Sequence, residues 1–430
     1  MSAVRTGTVM VPSPGIQAKR PPGPVGADCR VTENSGISIT TPLSANSDTV
    51  GQMAEAKVVV IGAGVIGVGA ALAIQRELPR ATVTIVTAQL TPFTTGDGAA
   101  GIWGPHYVSG DPIKIRDWSQ ATHDFLQRLW MEGECPGIGL IAGHDHPEKA
   151  PHTTVPFYHE DAPASGDASA PEEGKMGLSG SDARFESSSD DKRMSESSQS
   201  GKLSSETPVS GKDKIHPELR STPYEGKLSQ QVTFYAEPSK FLPFLLAAFK
   251  YHGGNVIVAN VTSLQQLAEY DVIINCTGLG SETLFGDTTL QPIRGQLVRV
   301  KAPYVKSFLA RNGFYIVPNE DAVVLGGTAQ LNDRRTEPDV ADTARIVSGC
   351  SKLIPALRGA PIVGVWAGLR PFRPGGVRLE SERHLVGGRW RWVVHNYGHG
   401  GSGVTLFWGC ALEVAAKVRQ ILENATASKL

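Results

Sequence analysis

Apolar residues first concentrate at Lys57-Val-Val-Val-Ile61, between a polar stretch and a set of glycines. A short β-branched run with such borders predicts a buried strand. Residues 65–75 follow with helical spacing, and residues 81–86 predict a second strand. Between 117 and 130 the apolar positions Trp118, Ala121, Phe125, Leu126 and Leu129 recur at helical intervals. The pattern lapses and resumes near Val232. Residues 238–252 predict an amphipathic helix, 256–259 a strand, and 271–278 a buried strand ending in a glycine turn. From Gly295 the period shortens to two, which predicts antiparallel strands at 296–300, 314–318, 323–326 and 392–395. Residues 385–390 predict a hairpin through Gly387-Gly388, and 404–422 a last helix. The sum is an α/β chain: a parallel nucleotide-binding core threaded through an antiparallel sheet.

Two stretches lack apolar periodicity. Residues 1–54 are rich in Pro, Gly, Ser and Thr and bury too little to offset their ordering entropy, so disorder is expected. A mitochondrial transit peptide is the alternative there, given Arg5, Lys19, Arg20 and Arg30 and few acids. Residues 160–211 are dominated by Ser, Asp, Glu, Gly and Lys and predict a solvated insertion in a surface loop of the 55–430 domain.

The bulk numbers narrow the classes. A 430-residue chain of net charge -1 favours neither nucleic acid nor an anionic membrane as partner. The five cysteines (Cys29, Cys135, Cys276, Cys350, Cys410) are dispersed and odd in number, which predicts reduced thiols rather than a disulfide or zinc framework. The longest apolar run, 58–74, is broken by glycines and short for a membrane span. No apolar segment suggests a secretory signal at the N-terminus. Ser428-Lys429-Leu430 has the form of the peroxisomal address, predicting the matching import receptor as a partner.

The chemistry enters with Val58-Val-Val-Ile-Gly62-Ala-Gly64-Val-Ile-Gly67. The order strand, glycines, helix fits a dinucleotide site. Gly62 permits the turn, Gly64 admits a pyrophosphate and Gly67 lets helix and strand pack. The acid expected near the end of the second strand is missing; Thr87 or Gln89 stands in its place. Asn275-Cys-Thr-Gly278 favours FAD over NAD. Further on, Gly368-Leu-Arg370-Pro-Phe-Arg373-Pro-Gly-Gly376 holds two arginines beside prolines, on a stiff backbone. His395-Asn-Tyr-Gly-His399-Gly-Gly-Ser-Gly403 then opens a helix with bare N–H groups. Together they predict a grip on a small carboxylate beside a bound cofactor. Neither His395 nor His399 has metal-ligand spacing, so no metal is expected.

These motifs, with Phe93-Thr94-Thr95-Gly-Asp97-Gly-Ala99-Ala100-Gly101-Ile102-Trp103, Asp117-Trp-Ser-Gln120, Arg294-Gly-Gln296, Tyr315-Ile-Val-Pro318, Gly326-Gly-Thr328 and Trp408-Gly-Cys-Ala-Leu-Glu413, occur in order from Lys57 onward. The chain resembles the D-amino-acid oxidase and D-aspartate oxidase family. The resemblance implies an FAD-binding Rossmann-like domain interleaved with an antiparallel-sheet substrate domain. It also implies hydride transfer from the α-carbon of a D-amino acid to flavin N5. The imino acid then hydrolyses to a 2-oxo acid and ammonia, and O2 returns the flavin with release of hydrogen peroxide.

By residue, the resemblance gives Arg370 and Tyr315 the substrate carboxylate and the Gly401 carbonyl the amine. Gly400, Gly401, Ser402, Gly403, Val404 and Thr405 wrap the flavin's pyrimidine end. Gly62, Gly64, Val65, Ile66, Gly67, Thr94, Thr95, Ala99, Ala100, Gly101, Ile102, Val256, Thr277 and Gly278 line the rest of FAD, with Trp103 nearby. Arg373 and Arg378 are expected to be structural. Arg311-Asn-Gly313 resembles the loop of the acidic-substrate oxidases, while Ala329 stands where those enzymes carry an arginine. The expectation is oxidation of neutral D-amino acids, with D-aspartate or D-glutamate accepted through Arg311. A D-aspartate-selective enzyme, a glycine- or sarcosine-oxidase-like flavoenzyme and a non-catalytic flavin-fold protein are the alternatives. Association into a homodimer is left open.

Overall fold

The computed structural model describes residues 55–133, 135–145 and 229–427. The expectations for 1–54, for 160–211 and for Ser428-Lys429-Leu430 lie outside them.

The apolar run forms β1 (Lys57–Ile61), and the glycine turn leads into α1 (Val65–Glu77) and β2 (Thr82–Thr87). β1 pairs in parallel with β2 on one side and with β6 (Val272–Asn275) on the other. β5 (Asn255–Val258) adds to β2, also in parallel. The hairpin β13 (Ser381–Val386) and β14 (Arg389–His395) turns through Gly387 and Gly388, both with positive φ. It completes a six-stranded sheet ordered β13-β14-β6-β1-β2-β5. This corrects the expectation for 392–395. β14 runs parallel to β6 in the nucleotide sheet and is antiparallel only to β13. Its Trp-Val-Val-His run suits either sheet, because periodicity reports burial and not the neighbour.

α6 (Gly403–Ala427) packs along α1 and along α2 (Pro112–Glu132). Phe125 of α2 stacks on Trp408 at 3.9 Å between ring centres, and Phe407 meets Phe125 and Phe241 edge-on. Phe241 lies on α3 (Pro238–Tyr251). Asp111 caps α2 by accepting from the Ile113 N–H at 2.8 Å.

The second sheet holds β3 (Ile138–Asp145), β4 (Ser229–Ala236), β7 (Gln291–Val300), β8 (Phe308–Arg311), β9 (Phe314–Pro318), β10 (Val323–Gly326), β11 (Gln330–Leu331) and β12 (Ile362–Phe372). Its pairs are antiparallel except β3 with β8. β12 carries Gly364, Gly368 and Pro371 and so hides its strand character from the sequence pattern. One face of this sheet, with Val298, Ile316 and Leu325, packs on Ile346 and Cys350 of α5 (Val340–Leu353). The other face holds Leu297, Val317 and Val324, with Ala100, Ile102, Tyr235, Tyr315 and Trp366 against them. Arg294, fully buried on β7, ties the sheet to α5 through Asp342 at 2.7 Å. Among the described residues, Cys135, Cys276, Cys350 and Cys410 are free thiols, and no helix is long and apolar enough to cross a membrane.

Candidate active site

The carboxyl ends of β1, β2 and β6 meet at one edge of the parallel sheet, where ligands of open α/β sheets bind. Gly62 adopts φ +107°, and a Cβ there would fall 2.6 Å from the Cys276 carbonyl oxygen. The first glycine is therefore required by the neighbouring turn as well as its own. A Cβ on Gly67 would run into the Gly62 carbonyl, so that glycine sets the helix–strand approach. Gly64 has open space in front of it. It caps α1 without a side-chain hydrogen bond, and no acid lies in the first turn. The start of α6 also lacks acids in its first turn. Two helix N-termini thus present N–H groups and positive dipole ends.

Several expected ligands are held for other work. The Thr87 hydroxyl accepts from the Ala63 N–H at 3.1 Å and donates to the Gln89 carbonyl at 2.7 Å. It is committed to the turn, which leaves exposed Gln89 as the free polar group there. Thr94 caps a short turn with Asp97, whose carboxylate accepts from the Thr94 N–H and hydroxyl. Thr95 reaches the Leu369 carbonyl at 3.4 Å. The segment Ala99 to Ile102 runs against the second sheet: Asn319 donates to the Ala100 carbonyl, and Ala236 to that of Gly101. Trp103 turns its indole N–H to Ser119 on α2 and meets His123 edge-on. Val256 is half-buried on β5, opposite Ile85. Asn275 accepts from the Thr277 N–H and hydroxyl, which shapes the turn into Gly278.

The 400–405 loop is pinned from below. Ser402 exchanges two hydrogen bonds with the His106 backbone, at 2.7 and 2.8 Å. Thr405 does the same with Gly104, at 3.1 and 2.8 Å. Gly400 donates to the Pro371 carbonyl at 2.8 Å, and Gly401 to that of Tyr107 at 3.3 Å. The Ser402 and Thr405 hydroxyls are thus spent within the protein, and the start of α6 offers its backbone N–H groups instead. His399, just ahead, is buried, and its Nε2 has no partner. Burial pushes its pKa down to about 3. The open face at Gly64, two N-termini without acids and this unsatisfied nitrogen fit an anionic dinucleotide.

Arg370 and Tyr315 come together on the second sheet. Trp366, Gly368 and Arg370 alternate onto the same face of β12, the face of Tyr315 on β9. Both side chains lie over glycine. A Cβ on Gly295 would strike the Arg370 guanidinium, and one on Gly326 the Tyr315 ring. Neither glycine was a site candidate, though both stand in the quoted motifs. Arg370 Nη1 donates to the Thr328 carbonyl at 3.0 Å, and its guanidinium carbon lies 5.5 Å from the centre of the Tyr107 ring. Among the described residues no carboxylate pairs with it, which leaves most of its five donors free. Burial raises the Tyr315 phenol pKa, and the Arg370 charge partly offsets this.

Arg311 is not brought to this site. It pairs with Phe314 across the β8–β9 hairpin, while Ala310 pairs with Tyr315. Cross-strand partners share a face, so Arg311 takes the α5 side with Phe314, opposite Tyr315. The sequence placed it only four residues from Tyr315 and could not give its face.

Arg373 and Arg378 are tied elsewhere. Arg373 pairs with Asp287 at 3.0 Å, and Tyr397 donates to the same carboxylate at 2.7 Å. Arg378 pairs with Glu380 at 2.6 Å and Glu382 at 3.0 Å. Glu382, His384 and His395 cluster within 4.8 Å. Yet Asn275 Oδ1 is fixed by the Thr277 N–H, so its amide donates to His395 Nδ1 at 3.1 Å. That places the imidazole proton on Nε2, which donates to Glu382 at 2.9 Å and is no free metal ligand. Burial opposes ionisation of Glu382, but bonds from His384 and His395 and the Arg378 charge hold it at about 2.

Comparison with known proteins gives the family. Residues 57–417 match the family model DAO, described as FAD dependent oxidoreductase. A D-amino acid oxidase of Dugesia ryukyuensis is 34% identical over 374 residues, covering 86% of this chain and 99% of that protein. A D-aspartate oxidase of Homo sapiens is 32% identical over 375 residues, covering 86% and 96%. The glycine oxidase structure from Bacillus cereus ATCC 14579 shares the fold, with TM-score 0.53 at 15% identity over 85% of this chain and 96% of that one. The glycine turn, the paired helix N-termini and a match over most of the chain give one conclusion: the protein belongs to the DAO family of FAD-dependent oxidoreductases.

Proposed function

We propose that the protein oxidises small, neutral D-amino acids at the α-carbon, giving the imino acid, with O2 as final acceptor and hydrogen peroxide as product. The observation that carries this is Arg370: a half-buried guanidinium anchored by one carbonyl, without a carboxylate, beside the Tyr315 phenol. Such a group is a receptor for a substrate carboxylate. The Tyr315 hydroxyl, protonated at neutral pH as phenols ordinarily are, donates a further hydrogen bond to that carboxylate. The Gly401 carbonyl orients the amine, on a loop fixed by Ser402, Thr405 and the Tyr107 carbonyl. Bound FAD supplies the acceptor for the two electrons leaving the Cα–H bond. Gly62, Gly64, Gly67, Thr277 and Gly278 and the N-termini of α1 and α6 would hold it. The chain's own contribution is orientation.

Neutral side chains are favoured by the register. Arg311 lies on the α5 face, and Arg299 is occupied by the Asp97 carbonyl at 3.0 Å. Among the described residues, this keeps Arg311 away from a second carboxylate on the Tyr315 face. Anaerobic addition of D-alanine and of D-aspartate to the purified yellow protein tests this. The expected result is rapid bleaching by D-alanine and slow bleaching by D-aspartate; bleaching by neither sinks the reading. Import through Ser428-Lys429-Leu430 is proposed with it, and a fluorescent fusion with or without the tripeptide tests that step.

A further inference from the structure

Tyr107 has an unusual backbone for its type. Among the described residues, positive φ outside glycine occurs at Tyr107 (+49°), Asn312 and Asn332. Asparagine accepts this region readily, whereas a bulky residue there is strained and needs its surroundings to hold it. The surroundings do. The hydrogen-bond pairs from Gly104 to Thr405 and from His106 to Ser402 stitch the residues just before Tyr107 to the start of α6. The Tyr107 carbonyl accepts from Gly401, and Gly400 approaches that carbonyl so closely that any Cβ would collide with it. The strained residue is thus clamped onto the loop that presents Gly401. Tyr107 is 42% exposed, and its ring leaves the clamp toward the guanidinium of Arg370, 5.5 Å away.

The Arg370 side chain therefore has distinct supports. The Gly295 backbone lies beneath it, the Thr328 carbonyl holds Nη1, and the Tyr107 ring lies against the guanidinium. A guanidinium over an aromatic face is held in plane by the ring quadrupole. We propose that Tyr107 is a positioning residue, whose ring fixes the Arg370 fork for a substrate carboxylate while its carbonyl sets Gly401 for the amine. One tyrosine would then register both ends of the amino acid. The inference rests on the assignment of Arg370 as the carboxylate receptor.

The test is calorimetric binding of propionate to the FAD-loaded protein, with steady-state kinetics on D-alanine. Tyr107→Phe keeps the ring. Tyr107→Asn removes it with a residue that suits the left-handed backbone. The expected result is propionate binding weakened about 3- to 30-fold in Tyr107→Asn and changed less than about twofold in Tyr107→Phe. KM for D-alanine should rise in parallel, more than kcat falls. A purely structural tyrosine would lower the melting temperature of Tyr107→Asn and leave propionate binding alone. Equal binding in wild type and Tyr107→Asn overturns the inference, as does equal weakening in both variants or no propionate binding by wild type. A wild type that binds propionate but oxidises no D-amino acid refutes the proposed function alone, because the binding comparison still reports on Tyr107.

Discussion

Tyr315 stands directly across the β9–β10 pair from Gly326, and the absence of a Cβ at 326 is what lets the phenol ring lie over the sheet. The substitution Gly326→Ala should displace that ring without removing any polar group. Misplacement of a substrate-positioning group by about 1 Å costs on the order of 10²-fold in rate. The expected outcome is a folded protein whose kcat/KM for D-alanine falls at least about tenfold. Gly295→Ala should act in the same way through Arg370. Steady-state kinetics alongside far-UV circular dichroism read both.

Arg370 should be the most sensitive position for substrate. Losing a two-point, charge-assisted contact costs about 3–4 kcal/mol, or roughly 10²–10³-fold in kcat/KM. Arg370→Leu should show that loss, and Arg370→Lys should recover only part of it, since an ammonium lacks the fork. Unchanged kinetics in Arg370→Leu would move the carboxylate site elsewhere.

Arg311→Ala should leave the ratio of D-aspartate to D-alanine turnover within about twofold of wild type. The residue shares a face with Phe314 and α5, and surface substitutions of this kind stay within about 0.5 kcal/mol. A ratio that drops tenfold would show that the hairpin places Arg311 at the substrate after all.

Arg294 is fully buried and pairs with Asp342, with further bonds to Gln296, Gln330 and the carbonyls of Arg335 and Glu337. Removing the carboxylate alone strands a buried charge, at about 3–5 kcal/mol. Asp342→Ala should therefore lower stability in urea by that order. The double substitution Arg294→Met/Asp342→Leu should cost less, because neither charge remains.

His399 should make the protein acid-sensitive. Its folded-state pKa of about 3 lies below the ordinary histidine value, because burial disfavours the charged ring. The unfolded chain then binds the proton more readily, so stability is fully present above about pH 6.5 and declines as pH falls from there toward 3. His395, also lowered by burial, adds to the same slope. Melting temperature against pH for wild type and His399→Phe measures it, and the variant should have the shallower acid limb.

The parallel core was legible because each of its signals is local. Lys57–Ile61 is a β-branched run, and the spacing Gly62, Gly64, Gly67 states turn, approach and packing in six residues. Strands β9 and β10 emerged with the expected bounds for the same reason. β12 was not legible, although it carries Arg370, because its glycines and Pro371 break the alternating pattern while its partner β7 supplies the pairing. Likewise 392–395 read correctly as a strand but not as a member of the parallel sheet.

Within the site, the sequence alone determined the residue types: a glycine-turn dinucleotide site, arginines beside prolines, and a glycine loop opening the last helix. Tertiary structure decided which of these share a surface. Strand register put Tyr315 on one face and Arg311 on the other. Hydrogen bonds between segments 296 and 301 residues apart spent the Ser402 and Thr405 hydroxyls on the backbone and brought Tyr107 to Arg370. The physical reason is that side-chain facing and hydrogen-bond partners depend on pairings between distant strands and loops, and a one-residue change of register reverses every facing along a strand.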